Sequence, residues 1–146
     1  IFSRQNVKSL PEGTDYQQTR KGAYIVTGSD EQFDVILVAS GSEVSTCVAG
    51  AELLRKDGVK VRVVSAPSEG LFRRQSKEYQ EQILPRDAKI FGLTAGLPVT
   101  IEGLVGANGK VFGLNSFGFS APYTVLDEKL GFTPENVYKQ VKAFLA

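Results

Sequence analysis

Apolar residues follow one another without a break at positions 35–39, Val-Ile-Leu-Val-Ala. An unbroken run is typical of a strand that helices cover on both faces, whereas a half-exposed strand alternates. The segment after it has apolar residues at the three-and-four spacing of one helical face. These residues are Val44, Cys47, Val48, Ala51 and Leu54. We therefore predict a central strand and an amphipathic helix within an organising unit at residues 33–58.

Turn residues mark both ends of that helix. Residues 40–42, Ser-Gly-Ser, provide a tight turn, and the hydroxyl of Ser42 is suited to cap the helix start. Gly58 ends the helix, because glycine adopts the left-handed conformation without steric cost. Residues 59–65 predict a returning strand, parallel to the first. Charged residues such as Arg62 alternate with valine there, which indicates a less covered position.

Strand and helix patterns alternate along the rest of the chain. Further strands are predicted at residues 23–27, 88–93 and 110–115, and further helices at residues 71–75, 76–84, 99–105, 123–130 and after Thr133. The link from residues 23–27 to the central strand is too short for a helical crossover, so this strand is expected antiparallel, at an edge. The predicted fold class is α/β, a three-layer sandwich with a five-stranded, mostly parallel sheet and one antiparallel edge strand.

Composition narrows the range of partners. The 146 residues suit one domain. A formal net charge of +1 gives no electrostatic footprint for nucleic acid or an anionic membrane surface. The apolar runs are all shorter than the ~20 residues of a membrane span, so we expect a soluble chain with neither partner. Cys47, on the apolar helix face, is interpreted as a buried structural thiol in a reducing cytoplasm.

Two residue types are absent from the sequence, histidine and methionine. Histidine is the commonest general base near neutral pH, so autonomous acid–base chemistry is disfavoured. The chain opens on Ile1 as though in mid-element, and residues 7–22 show no strand or helix period. We interpret residues 7–22 as a linker and the whole as a piece of something longer.

The turn at residues 40–42 could bind an anion, because a helix start presents free N–H groups there. Glu43, Val44 and Ser45 follow where a dinucleotide fingerprint needs further glycines, which favours a structural turn. A free-standing module that binds an anion or nucleotide at the carboxyl ends of the strands stays open as an alternative.

Other candidate chemistry has simpler interpretations. Gly109-Lys110 lacks the remaining residues of a phosphate loop. Ser120 has no histidine to activate it and is expected to be a helix N-cap. Arg73 and Arg74 are expected on a solvated helix face. The acidic residues are scattered, with no ligand cluster for a metal.

Several motifs occur in the order in which transketolases have them. Residues 3–7, Ser-Arg-Gln-Asn-Val, resemble the Ser-Arg-Gln-Asn-Leu segment that leaves the pyrimidine-binding domain of that family. Residues 21–24, Lys-Gly-Ala-Tyr, are similar to its Lys-Gly-Gly-Tyr. Residues 37–44 and 61–67 resemble its Val-Ala-Thr-Gly-Ser-Glu-Val and Ala-Arg-Val-Val-Ser-Met-Pro, and residues 117–122, Phe-Gly-Phe-Ser-Ala-Pro, continue the match. The resemblance covers essentially the whole chain.

The resemblance implies that residues 1–22 are an interdomain segment entering from the pyrimidine-binding domain, and that residues 23–146 are a transketolase carboxy-terminal domain. It implies two-carbon ketol transfer between sugar phosphates in the cytoplasmic pentose phosphate pathway. Thiamine diphosphate and a divalent metal, Mg²⁺ or Ca²⁺, would lie between the preceding domains of a homodimer, and none would be bound by this chain. It assigns no catalytic residue here.

Arg4 is the one site residue that the resemblance carries over, as a group that grips the substrate phosphate. The planar fork of an arginine matches a phosphate, and fixing the non-reacting end of a sugar orients its carbonyl. Residues 94–98, Thr-Ala-Gly-Leu-Pro, depart from the family's Glu-Ala-Gly and its aromatic helix. Another alternative is the assembly domain of a different thiamine-dependent enzyme, such as deoxyxylulose-phosphate synthase or a 2-oxoacid dehydrogenase component, against which residues 3–6 argue.

Overall fold

The fold was examined in a computed structural model that describes residues 6–28 and 32–146. In this part of the chain the strands are β1 (Tyr24–Thr27), β2 (Val35–Ala39), β3 (Val61–Ser65), β4 (Ile90–Leu93) and β5 (Lys110–Phe112). The helices are α1 (Glu43–Lys56), α2 (Glu69–Arg73), α3 (Lys77–Ile83), α4 (Val99–Val105), α5 (Tyr123–Leu130) and α6 (Pro134–Leu145), and a 3-10 helix spans Tyr16–Lys21.

The five strands form one sheet in the order β1-β3-β2-β4-β5. β2 lies at the centre and pairs in parallel with β3 and β4, and β4 pairs in parallel with β5. β1 is antiparallel and lies at the edge, as predicted, but its neighbour is β3 rather than the central strand. The predicted fold class is confirmed, since helices cover both faces of a mostly parallel sheet with one antiparallel edge strand.

Each face of the sheet has its own hydrophobic core. The face covered by α1 and α6 buries alternate residues of β2, namely Val35, Leu37 and Ala39, with Cys47 and Val141 from the helices. The opposite face is covered by α2, α3 and α4. It buries the other residues of β2 with Phe72, Ile83 and Leu104. Both faces of β2 are thus covered, which is why its sequence is apolar without a break.

Helices α1 and α6 approach each other closely at Gly50. A Cβ atom placed on Gly50 would lie 2.7 Å from Cγ1 of Val137 on α6, so a side chain does not fit there without movement. At the end of α1, the Tyr138 hydroxyl donates to a carboxylate oxygen of Asp57 at 2.5 Å, and the Lys142 ammonium lies 3.3 Å from the same oxygen. These two hydrogen-bonding partners hold the pKa of Asp57 below its usual value. The face formed by α1 and α6 is therefore closed by the chain's own residues.

The sequence predicted that β3 would be less covered than β2, and this was wrong. All five of its residues are buried, including Arg62, which is 8% exposed. The guanidinium of Arg62 lies over the ring of Phe33, 4.3 Å from its centroid, and donates to the carbonyl oxygens of Gly28 and Gln82. A long aliphatic arm lets the backbone be covered while the charged end reaches hydrogen-bond acceptors.

The segment before β1 is also more ordered than predicted. Tyr16–Lys21 forms a 3-10 helix, whose start is capped by Asp15 through a hydrogen bond from the Gln17 amide. It ends at Gly22, whose φ of +88° is in the left-handed region and whose Cα has no room for a side chain. Leu10 packs against the core between the sheet and α1. The last strand is shorter than predicted and ends at Phe112.

Candidate functional site

The carboxyl ends of β2, β3, β4 and β5 lie along one edge of the sheet, because these four strands are parallel. Open α/β sheets place ligands at this edge. The loops that form it are residues 40–42, 66–68, 94–98 and 113–122. Both anion-binding interpretations of the sequence, the turn at residues 40–42 and the module that binds at the strand ends, fall on this edge.

The tight turn predicted at residues 40–42 is present, but the hydroxyl cap predicted with it is not formed. Gly41 takes a φ of +66°, which explains the glycine, but Ser42 already has helical backbone angles and its hydroxyl caps no backbone N–H. That hydroxyl instead donates to a carboxylate oxygen of Glu43 at 2.7 Å. A carboxylate at the start of α1 satisfies the helix dipole and repels an incoming anion. Ser42 is thus the N-cap residue of α1 by position, but the predicted capping by its hydroxyl was wrong.

A small cavity of about 70 Å³ adjoins this turn. Its lining includes Ser42, Glu43, Tyr123 and Asp127 but no Lys or Arg among the described residues. Burial raises the pKa of the Asp127 carboxyl. Two acidic side chains in so small a space do not favour a phosphate or a nucleotide.

Cys47 is fully buried on the inner face of α1. Burial raises the pKa of its thiol, and the charge of nearby Glu43 adds to the effect. Only the thiolate is an effective nucleophile. The prediction of a structural thiol is confirmed.

The other candidate residues have structural surroundings. Ser120 is exposed and caps no helix, because α5 starts only at Tyr123 with Pro122 at its N-cap; the N-cap predicted at Ser120 was wrong. Lys110 donates to the Gln140 side chain at 2.9 Å. Arg73 is exposed, as expected, but it also pairs with Glu69 at 3.0 Å and donates to the carbonyl oxygen of Gly103.

An open groove of about 730 Å³ runs between α3 and α4. Its floor is apolar and includes Leu84 and Leu104, while its rim carries both cations and acids. Two of those cations already face carboxylates, in the pairs Arg73–Glu69 and Arg86–Glu81. A rim of mixed sign favours no particular charge in a ligand.

Within residues 6–28 and 32–146, no three His, Cys, Asp or Glu side chains are placed to hold a metal ion. None of the helices in the same residues combines the length and the apolar character that crossing a membrane requires.

Large apolar side chains are exposed in the loops after β4 and β5 and at the starts of the helices that follow them. They are Leu97, Val99, Phe117, Phe119 and Tyr123, and together we call them the carboxyl-edge surface. No pattern search for catalytic motifs would find them. The available signal was the absence of charge, since residues 90–101 and 111–126 contain no Asp, Glu, Lys or Arg.

Both the sequence and the fold are similar to those of known proteins. The family model for the transketolase-like TK C-terminal domain matches residues 22–133. The chain belongs to this family. The transketolase of Staphylococcus epidermidis is 44% identical over 146 residues, which cover 98% of this chain and 22% of that protein. The family assignment made from the sequence motifs is confirmed.

Solved transketolases share the fold. The crystal structure of transketolase from Pichia stipitis in complex with sedoheptulose-7-phosphate is 32% identical, with a TM-score of 0.88 over 97% of this chain and 20% of that one. The transketolase structure from Leishmania mexicana is 33% identical, with a TM-score of 0.87 and the same coverage. The chain therefore spans about a fifth of the length of the transketolases it matches.

The one substrate-binding residue expected from the resemblance, Arg4, lies outside the described residues. Its role stays a prediction. Within the described part of this transketolase-family domain, Asn6, the first described residue, lines an open cleft together with Phe119 and Tyr123. The sequence motifs gave no reason to expect that arrangement.

Proposed function

We propose that this chain is the carboxy-terminal domain of a full-length transketolase, which transfers two-carbon ketol units between sugar phosphates. The observation that carries the proposal is the 44% identity to a transketolase over 98% of the chain. In this proposal residues 1–22 lead in from the pyrimidine-binding domain, and residues 23–146 form a scaffold that packs on the preceding domains and supports a homodimer. The parent enzyme works in the cytoplasm, in the pentose phosphate pathway.

Thiamine diphosphate and a divalent metal, Mg²⁺ or Ca²⁺, would supply the reactive chemistry of the parent enzyme. The described residues do not offer a site for the metal. The sequence has no histidine, and the described residues contain no cluster of metal-ligating side chains. We therefore assign both groups to the other domains and route no reaction step through this one.

Arg4 is proposed to bind the phosphate of the sugar substrate. A bidentate arginine would fix the end of the sugar that does not react, so that binding energy orients the carbonyl. This role requires the side chain of Arg4 to face the neighbouring domains rather than the interior of its own.

The test is ketol transfer by the full-length polypeptide that carries this domain, with sedoheptulose-7-phosphate as donor. We expect Arg4→Ala to raise KM, with a loss of about 1–3 kcal/mol of charge-assisted hydrogen bonding. Arg20→Ala, an exposed arginine in the same segment, serves as the matched control and should leave the kinetics unchanged.

Donors without a phosphate sharpen this test. On such a donor Arg4→Ala should have no effect, because the group that Arg4 binds is missing. Equal losses on both donors would remove Arg4 from the phosphate site, and a full-length polypeptide without ketol transfer would overturn the proposed function itself.

The alternatives have less support. The cavity beside residues 40–42 is small and acidic, which argues against an anion or nucleotide module. The family match and the named relatives are transketolases, which argues against an assembly domain of another thiamine-dependent enzyme.

A further inference from the structure

We propose that the carboxyl-edge surface docks the region of transketolase that precedes this domain in the parent polypeptide. The inference rests on the proposed function, which supplies that region, and goes beyond it by naming the surface. It joins three observations: the exposure of large apolar side chains, the lack of charge around them, and the position of the chain entry beside them.

The exposure is unusually high for residues of this size. The relative exposure of Phe117 is 97%, of Val99 66% and of Phe119 65%, while Leu97 and Tyr123 are about half exposed. Single exposed apolar residues are common on soluble proteins, but a cluster of them marks an interaction surface.

The two loops that carry this surface are also free of charge. Residues 90–101 and 111–126 contain no Asp, Glu, Lys or Arg, although 23% of the whole chain is charged. Charged residues are depleted at the centres of protein interfaces, where aromatic side chains are enriched. Loops that only face solvent would have no physical reason to lack charged residues or to carry several aromatic ones.

The loops are held together by the backbone. The amide of Thr94 donates to the carbonyl of Phe112 at 3.1 Å, and the amide of Leu114 donates to the carbonyl of Gly96 at 3.0 Å. A Cβ atom on Gly113 would lie 2.8 Å from the Gly96 oxygen, so the backbones touch. The two segments that carry the exposed apolar residues are thus joined at their bases.

The position of Asn6 identifies the occupant. Asn6 lies with Phe119, Tyr123 and Leu126 around an open cleft of about 810 Å³. Any polypeptide before residue 6 continues from this point, so the preceding region is tethered directly beside the surface. A tethered partner has a high effective concentration, which favours it over a second copy of this domain.

Hydroxyl-radical footprinting of the full-length polypeptide tests the docking. Tyr16 is the internal reference, because it is 72% exposed and belongs to the 3-10 helix that leads into β1, which lies at the other end of the strand order from β5. Rates are referred to those of the urea-unfolded polypeptide. We expect oxidation of Phe117 and Phe119 to be slowed about tenfold or more, since a side chain packed against several others is shielded. Tyr16 should be slowed far less.

If oxidation of Phe117 and of Tyr16 were slowed by the same factor relative to the urea-unfolded polypeptide, the inference would be overturned. Protection that is lost on dilution, as sedimentation shows the dimer dissociating, would assign the surface to a second copy and would also overturn it. Protection that persists in the monomer supports docking of the preceding region.

A double variant provides an independent measurement. Phe117→Ser with Phe119→Ser in the full-length polypeptide should loosen the domain, so that limited proteolysis between residues 6 and 22 becomes several-fold faster. Lys139→Ser, at an exposed position of α6 outside both the surface and the cleaved segment, is the control and should not change the cleavage rate. Unchanged cleavage in the double variant would contradict the proposal.

Ketol transfer is measured on the same preparations. Protection of the surface in a polypeptide without this activity would refute the proposed function and leave the docking intact. Ketol transfer by a polypeptide whose carboxyl-edge surface is not protected would support the proposed function and refute the docking.

Discussion

Two regions of this domain use apolar residues in opposite ways. In the unit β2–α1–β3, the apolar side chains of β2 are almost completely buried, because α1 and α6 close over one face of the strand and α2, α3 and α4 over the other. At the carboxyl-edge surface, side chains as large as Phe117 and Phe119 face solvent. Both regions belong to the same sheet and lie in the same chain.

The difference shows which contacts the chain completes by itself. Burial of an apolar side chain stabilises a fold by roughly 1.5–3 kcal/mol, and exposure of the same side chain contributes nothing to the isolated domain. The central unit has a periodic pattern because its partners lie in the same chain. The carboxyl-edge surface has an uncharged but aperiodic pattern, which fits a partner elsewhere.

The largest expected effect comes from comparing two phenylalanines. Phe91 is fully buried in the core, so Phe91→Ala should lower the free energy of unfolding by about 3–5 kcal/mol. Phe117→Ala, at 97% exposure, should change it by less than about 0.5 kcal/mol in this chain. Urea unfolding followed by circular dichroism measures both. Similar losses would show that Phe117 packs within the domain, contrary to the structure.

The contact between α1 and α6 should be sensitive to a single methyl group. We expect Gly50→Ala to cost about 1–3 kcal/mol, because the added carbon would meet Val137. Gly70→Ala is the matched control in α2, where nothing lies within 4 Å of the added carbon. It should be neutral or stabilising, since alanine favours helix. The same urea titration measures both variants. Equal free energies of unfolding for the two would contradict the close approach of α1 and α6.

The two helix starts provide a smaller contrast. The Thr133 hydroxyl accepts a hydrogen bond from the Asn136 amide at 3.3 Å and caps α6, so Thr133→Ala should cost about 1 kcal/mol. Ser42→Ala at the carboxyl edge should cost distinctly less, because its hydroxyl caps nothing. Thermal unfolding measures both costs. An equal cost would show that the Ser42 hydroxyl does cap α1, as the sequence predicted.

The smallest effect is a pH dependence at the end of α1. Tyr138 and Lys142 lower the pKa of Asp57 in the folded state, so its contribution to stability is complete above the unfolded pKa of about 4. That contribution is lost as the pH falls through the folded-state pKa. Asp57→Asn should therefore remove part of the stability decrease below about pH 4. Identical pH profiles of the two proteins would show that the contact does not form.

Much of the fold could be predicted because the chain closes most of its own core. The unbroken run in β2 and the spacing in α1 report burial on the same chain, and Gly58 and Thr133 mark helix ends by local chemistry. The neighbour of β1 could not be predicted, because strand order depends on which edges remain free. The burial of Arg62 was not predicted, because the charged end of a long side chain says little about whether its backbone is covered.

The candidate site was less predictable than the fold. Arg4 came from a motif shared with transketolases and lies outside the described residues, so its role stays a prediction. The carboxyl-edge surface was missed because an exposed docking surface has no period of its own. In the sequence this surface is marked only by the absence of charged residues from two stretches. Only the structure shows that the two stretches lie at one edge of the sheet.

A structure of the full-length polypeptide would decide between the two uses of apolar residues described above. We expect Phe117, which is 97% exposed in this domain, to be buried there against the region that precedes residue 1. Tyr16 should remain largely open to solvent. A Phe117 ring in solvent, with the preceding region packed elsewhere on the domain, would contradict the docking of that region on the carboxyl-edge surface.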